Sequence, residues 1–366
     1  MKRRVALIHY WLVGMRGGER VLERIARLYP DADIFTHVVD PKAISAELAA
    51  RRITTSFVGR LPGAVRRYQS YLPLMPLALE QFDLRGYDLV ISSESGPAKG
   101  VIAPPDALHL CYCHSPMRYL WDHYHAYREQ AGAVSRTMMP LLCHYLRNWD
   151  ATSARRVDSV VANSRFIQRR IRRAWGVDAD VVHPPVPTSF FTPTRDVDRR
   201  YLWVGQLVSY KRPDLAVDAF TRLGLPLLVV GEGDMAAALR KRAGPNIEFV
   251  TRLPFAKLCD AYAHARALIF TAEEDFGIVP VEANAAGRPV IAYGRGGVLD
   301  SLIEGSTGLF FDEQSVDALV EAVERFEGWL PQFRVQDAVD NAARFAPERF
   351  DEAFASAVER AWARKT

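Results

Sequence analysis

Two carboxylates, Glu274 and Glu282, flank seven residues in the segment EEDFGIVPVEANAAGRPV (273–290). Phe276-Gly277-Ile278 lies between them, and Gly287 and Pro289 follow. Pro280 suits the first turn of a helix, where its missing N–H is not needed. Gly287 suits a helix C-terminus, and Pro289 cannot continue one. The segment therefore predicts a short helix, with Glu274 in the loop before it and Glu282 about a turn and a half inside. The unpaired N–H groups of that helix start form an anion site. One carboxylate beside a phosphate and a second further along fit a ligand carrying both hydroxyls and phosphates, such as a nucleotide-sugar.

Other turns have related chemistry. The first apolar run leads into Gly14-Met15-Arg16-Gly17-Gly18-Glu19-Arg20. Two adjacent glycines ahead of a helix let a phosphate approach backbone N–H groups. The pattern is neither GxGxxG nor a P-loop, and a tight strand–helix turn explains it equally well. VGQLVSYKRPDLAVDAF (204–220) places Lys211 between a strand end and a helix beginning at Pro213. A lysine there can neutralise a diphosphate leaving group, although a plain surface lysine fits the same spacing. VVGEGD (229–234), which contains Gly231, and GRGGVLDSLIEGSTGLFF (294–311) repeat the strand-to-glycine turn. CYCHSPMRYLWDHYH (111–125) gathers Cys111, Cys113, His114, His123 and His125. Cys-x-Cys-His lacks the spacing of zinc hairpins, so buried free cysteines are expected and no metal. His114, at a strand end before Ser115-Pro116, is placed to face a cleft.

Such residues need strand ends to hold them, and the chain supplies two series. VALIHYWLV, DADIFTHVV, DLVISSES, ALHLCYC and SVVANS alternate with helical patterns; RYLWVGQL, PLLVVGEG, IEFVT, ALIFTA, PVIAYG and TGLFF do so again after about residue 196. Strands alternating with helices imply parallel sheets with crossover helices. The expected architecture is α/β: two doubly wound Rossmann-like domains facing across a cleft. At 366 residues the chain exceeds one ordinary core, which agrees. The boundaries read 1–183, a proline-rich linker at 184–198, 199–345, and a tail at 346–366. The tail's helical spacing (Phe350, Phe354, Val358, Trp362) points to a helix packing back on the first domain. Four cysteines are too few for a disulfide scaffold and indicate a reducing cytoplasm. His9 interrupts the first apolar run, which reads as a strand rather than a leader, and no run reaches membrane-spanning length.

Charge is uneven. Residues 1–195 hold 27 Lys and Arg against 17 Asp and Glu, whereas 196–366 hold 20 against 26. A basic first half implies an anionic partner, although solvated charge explains most such runs. Arg51-Arg52, Arg66-Arg67 and Arg169 to Arg173 carry much of the excess. No nucleic-acid motif accompanies it, so nucleic acid is not expected; an anionic membrane surface or a lipid phosphate is.

Together these segments resemble a family 4 retaining glycosyltransferase of GT-B fold, over nearly the whole chain. The most specific element is the E-x7-E pattern of Glu274 and Glu282. GQLVSYK (205–211), GGER (17–20), VVHPPV (181–186) and EGSTGLFF support it. CYCHSPMRYLWD resembles the bacterial O-antigen and exopolysaccharide mannosyltransferase branch. That branch implies GDP-mannose as donor, a polyprenyl-diphosphate-linked glycan as acceptor and no cofactor. It also implies peripheral attachment to the inner face of the cytoplasmic membrane. By the same resemblance Glu274 would bind donor-sugar hydroxyls and Glu282 the ribose. Gly277 and Ile278, next to Phe276, would offer backbone N–H groups to the diphosphate or sugar. Lys211 would bind the diphosphate, with Gly17 and Gly18 approaching the phosphates from the other domain. His114 would contact the transferred sugar, and Arg252 lies where the family often touches the base. Where the family usually has Arg this chain has Gln206, which hydrogen-bonds phosphate without charge. Lys211 must then do more, or Arg212 or Arg16 contributes.

The acceptor and membrane are expected on the basic first domain, at Arg66, Arg67, Arg118, Tyr119 and Trp121. The apolar, aromatic run YQSYLPLMPLALEQF (68–82) fits a lipid groove or a core-packed connection equally well. Competing readings are a different NDP-hexose donor, a sugar phosphorylase, a dinucleotide-binding oxidoreductase (disfavoured by the missing GxGxxG) and a non-catalytic glycan- or lipid-binding protein.

Overall fold

The computed structural model describes residues 3–122 and 124–365. The chain forms two compact units, Met1–His183 with Asp351–Thr366, and Pro184–Phe350. The first is built on a seven-stranded parallel sheet in the order β3-β2-β1-β4-β5-β6-β7. Its strands are β1 (Val5–His9), β2 (Asp33–Thr36), β3 (Ile53–Thr55), β4 (Leu89–Glu94), β5 (Leu108–Cys113), β6 (Ser159–Ala162) and β7 (Asp180–Val181). The central strands β1, β4 and β5 are buried at every residue, as expected of parallel strands covered on both faces. The edge strands β3 and β7 are short, have no apolar run, and escaped the reading of the sequence.

Helix α1 (Gly17–Leu28) follows β1. Helix α2 (Ala133–Ala154) connects β5 to β6, and α3 (Arg165–Trp175) connects β6 to β7. Ser164 caps α3 by accepting from the Ile167 N–H, and Gly176 ends it in the left-handed conformation, a helix start and stop of the usual chemistry.

The second unit carries a six-stranded parallel sheet in the order β10-β9-β8-β11-β12-β13. These are β8 (Tyr201–Val204), β9 (Leu227–Val230), β10 (Ile247–Val250), β11 (Leu268–Phe270), β12 (Val290–Tyr293) and β13 (Gly308–Phe311). Helix α4 (Pro213–Leu223) follows β8 and α5 (Ile278–Ala285) follows β11. The proline-rich segment 184–198 is packed rather than loose: Val186 and Phe191 are buried in the second unit's core, and the Val186 N–H donates to the Phe345 carbonyl. Helix α6 (Pro347–Lys365) closes the chain. Within the first unit it buries Phe354, Val358 and Ala361 and pairs Asp351 with Arg24 at 2.6 Å.

Candidate active site

In an open parallel sheet, loops at the C-terminal strand ends diverge where the strand order reverses, and ligands bind there. In the second unit the reversal lies between β8 and β11, which are neighbours although β9 and β10 intervene in sequence. The loop after β8 carries Lys211 and the loop after β11 carries Glu274. Their side chains meet across the switch point, Lys211 Nζ to Glu274 Oε1 at 2.8 Å, each 17% exposed. Thr271, at the end of β11, fixes the lysine loop by donating its hydroxyl to the Lys211 carbonyl at 2.8 Å. Thr271 Oγ1 in turn accepts from the buried Trp203 indole.

Glycines allow the close packing of these loops. A Cβ on Gly231 would lie 1.8 Å from the Gly205 carbonyl oxygen, and one on Gly297 would lie 2.2 Å from that of Asp275. The GG turn at 296–297 thus clamps the Glu274 loop, and the Gly297 N–H donates to the Glu274 carbonyl. Gly277 caps α5 at φ 94°, a left-handed conformation that favours glycine. It opens the first-turn N–H groups, with Ile278 beside it. Glu282 is buried on α5 and accepts from the Tyr262 hydroxyl at 2.8 Å.

Phe276 differs from expectation. Its ring lies in the second core, edge-on to Phe345 at 5.2 Å, so only its backbone can meet a ligand. Gln206 is exposed on the lysine loop. Arg212 is the one positive-φ non-glycine among the described residues, at φ 51°, and its guanidinium bonds to Asp214. That partner explains its fixed position and lessens its availability to phosphate. Arg252 is exposed beyond β10, two strands from β8.

The first unit repeats the geometry. Its order reverses at β1, and the loop after β1 delivers Gly17 and Gly18 at the start of α1. A Cβ on Gly18 would lie 2.3 Å from the Tyr10 hydroxyl and 3.6 Å from His114 Nε2, so the glycine turn and His114 share one location. His114 Nε2 lies 2.8 Å from Ser93 Oγ, which lies 3.0 Å from His9 Nδ1. Burial, and then the neighbouring His114, push the His9 pKa well below the usual value, so its ring is neutral. The His114 N–H donates to the Glu94 carbonyl, and the Asn163 side-chain amide donates to the His114 carbonyl, which together fix the turn. Glu19 caps α1 by accepting from the Arg16 N–H, and burial raises its pKa.

The residues expected at the acceptor are dispersed. Arg66 and Arg67 are exposed. Most of the run 68–82 is packed, with Met75, Ala78 and Leu79 buried and Leu74 and Leu77 exposed. Arg118 and Tyr119 are half-buried. Trp121 is anchored rather than displayed, donating its indole N–H to Asp150 at 2.7 Å. Asp150 belongs to a network that sequence reasoning missed. Lys99, Glu94 and Asp150 are fully buried and ion-paired, Lys99 over the Trp175 ring at 4.2 Å, and Trp175 also donates to Asp150. Burial opposes the Lys99 charge, but Asp150 and Glu94 overcome it and raise its pKa. No spacing in the chain signals a triad spread over residues 94, 99 and 150. Cys111 and Cys113 are buried, and burial raises both thiols. His123 lies outside the described residues.

Two doubly wound parallel-sheet units, each with glycine turns at its switch point, define the GT-B class of glycosyltransferases. The chain matches the model of Glycosyltransferase Family 4 over residues 15–190 and that of Glycosyl transferases group 1 over 188–328. It belongs to family 4 of the glycosyltransferases. The alpha-1,3/1,6-mannosyltransferase alg2 of Schizosaccharomyces pombe is 25% identical over 83% of this chain and 70% of that protein. The GDP-mannose-dependent alpha-(1-6)-phosphatidylinositol monomannoside mannosyltransferase of Mycolicibacterium smegmatis is 29% identical over 47% of this chain. That match spans 54% of the relative's own length, about half, as do other curated relatives. The crystal structure of HepE from Anabaena in complex with UDP shares the fold, with a TM-score of 0.72 at 16% identity over 98% of this chain and 100% of that one. Among the described residues, no helix is long and apolar enough to cross a membrane.

Proposed function

We propose that this glycosyltransferase moves mannose from GDP-mannose to a polyprenyl-diphosphate-linked glycan, with retention, during synthesis of a bacterial surface polysaccharide. The carrying observation is the Lys211–Glu274 pair, 2.8 Å apart across the second sheet's switch point. A diphosphate oxygen held by Lys211 leaves the attached hexose within reach of Glu274, which accepts its hydroxyls. Glu282, oriented by Tyr262, takes the ribose hydroxyls. Backbone N–H groups at Gly277 and Ile278 receive phosphate oxygen at the start of α5. In the first unit the Gly17–Gly18 turn binds phosphate and His114 contacts the transferred sugar.

As the bond between the anomeric carbon and phosphate oxygen breaks, negative charge grows on the phosphate, and Lys211 with the helix start stabilises it. The acceptor hydroxyl attacks the same face, and its proton passes to the departing phosphate oxygen. Neither glutamate is then a nucleophile, unlike the paired carboxylates of retaining glycosidases. The choice of mannose is supported by the two mannosyltransferase relatives. Another NDP-hexose is the second reading, favoured by the UDP bound to the structural neighbour HepE. The acceptor's lipid anchor places the enzyme on the inner face of the cytoplasmic membrane.

A thermal-shift panel of GDP-mannose, UDP-glucose and other nucleotide-sugars, followed by transfer assays, tests the proposal. GDP-mannose should raise the melting temperature most, because a tight ligand stabilises by mass action. A larger shift with a uridine donor would overturn the choice of mannose. Near-wild-type transfer by Lys211→Ala would overturn the site.

A further inference from the structure

Helix α2 turns an apolar stripe to solvent. Val134, Met138, Leu141 and Tyr145 recur at helical spacing over three turns and are 80%, 45%, 67% and 46% exposed. The opposite side of α2 is the core side, where Cys143 and Leu146 pack with Met117 and Leu120. The helix thus has an apolar outer face in addition to the one it buries. Single exposed apolar residues are ordinary, but four along one arc are a patch. The only carboxylate among the 22 residues of α2 is Asp150, which is fully buried.

Helix α3 supplies charge beside it. Arg165, Arg169, Arg172 and Arg173 are exposed, the helix contains no Asp or Glu, and Ile167, Ile171 and Trp175 face the core. The proposed donor chemistry uses none of these arginines. Topology sets the two helices side by side. Strands β5, β6 and β7 are adjacent and parallel, and right-handed crossovers advancing in one direction lay their helices on one face of the sheet. Contact confirms it: Ala154 of α2 shares a core with Ile167, Ile171 and Trp175 of α3. Their outer faces therefore look the same way.

We propose that this α2–α3 face docks the protein on an anionic lipid bilayer. The stripe of α2 enters the headgroup–acyl boundary, and the arginines of α3 meet lipid phosphates. Charge selects this occupant over a second copy of the chain, since neither helix has an exposed carboxylate with which a self-complementary face could meet the arginines. The proposal rests on the reading that the enzyme works at a membrane, and not on its donor chemistry. It moves the contact away from Arg66 and Arg67.

Co-sedimentation of the full chain with vesicles of phosphatidylcholine, with or without phosphatidylglycerol, tests it. The wild type should bind the anionic vesicles and bind them less at high salt. V134E/L141E should weaken binding at least about tenfold. R169Q/R172Q should weaken it by about fivefold per arginine. All these positions are exposed, so melting temperature and GDP-mannose hydrolysis should stay at wild-type values. Wild-type protein remaining in the supernatant, both variants sedimenting like wild type, or gel filtration showing a dimer that V134E/L141E breaks would each overturn the proposal. Vesicle binding without nucleotide-sugar turnover would overturn the transfer reading and leave this one standing.

Discussion

Each unit holds a lysine paired with carboxylate, and the two pairs differ in burial. Lys99 is sealed in the first unit with Glu94 and Asp150, all three side chains 0% exposed. Two tryptophan N–H groups and two backbone N–H groups, of Ala98 and Lys99, complete the carboxylates' bonding. Lys211 and Glu274 pair at the open C-terminal edge of the second sheet, each partly exposed. A pair with every bond filled by protein can only organise the protein. A pair at a strand edge, beside a glycine-capped helix start, can exchange partners with an anion and a hydroxyl. Burial and bonding, not charge, separate architecture from chemistry here.

The largest expected effect breaks the sealed pair. Asp150→Ala leaves Lys99 buried without its main partner and strands two indole N–H groups. Loss of one member of a buried pair costs about 3–5 kcal/mol. Chemical denaturation should show that loss in the first unit. A variant within 1 kcal/mol of wild type, by the same scale, would show that the network is dispensable.

Next comes the open pair, where the expectation reverses. Lys211→Ala should lower kcat about 10²- to 10³-fold, the cost of removing one preorganised group from developing charge. Glu274→Ala should fall in the same range. Both should unfold near the wild-type denaturant midpoint, because partly exposed pairs contribute little stability. Large destabilisation with modest kinetic change would make this pair architectural too.

Acid should separate the units as well. Burial lowers the His37 and His109 pKa values to about 4, and His9 moves in the same direction. In the unfolded chain these rings titrate near 6.5. Their contribution to stability is therefore complete above about pH 6.5 and is lost as pH falls toward 4, on the order of 3 kcal/mol for each of His37 and His109. All three lie in the first unit, whereas the second has only the partly exposed His264. Calorimetry between pH 7 and 4.5 should move the first unit's transition down ahead of the second's. Transitions that fall in parallel would contradict the neutral-histidine assignment.

These contrasts also mark what the chain reveals before it is folded. GGER, the Lys211 loop and E-x7-E are legible because each is a local pattern whose geometry follows from a strand end and a helix start. The meeting of Lys211 with Glu274 is not, since it joins positions far apart in sequence through strand order. The same holds for Glu94, Lys99 and Asp150. Phe276 is misleading: its place in a binding motif hides a core ring, because the turn that presents its backbone sends its side chain inward. The outer stripe of α2 has a readable period, but apolar residues on both sides of that helix blur which face is buried. The strands β3 and β7 are held by their neighbours rather than by their own residues.

A smaller effect tests how far each group acts alone. Tyr262→Phe removes the hydroxyl that orients Glu282, at a cost of about 1 kcal/mol for one hydrogen bond. If Glu282 binds ribose as proposed, donor KM should rise about fivefold with kcat little changed, because such a contact is alike in ground and transition states. A fall in kcat at constant KM would instead tie Glu282 to the reacting sugar.

The smallest effect concerns Gln206, exposed on the lysine loop where the resembling family usually has arginine. Glutamine can donate to phosphate, but it leaves Lys211 as the nearby cation in a loop where Arg212 is engaged by Asp214. Gln206→Arg should tighten binding of the nucleotide diphosphate by about two- to fivefold, the scale of an exposed ion pair. The gain should shrink with salt. Isothermal titration with GDP at two ionic strengths reads both. If the gain persists at high salt, the site around Lys211 excludes water more than its exposure indicates. If affinity falls, the loop depends on the uncharged side chain, and the contrast between an open and a sealed lysine pair narrows.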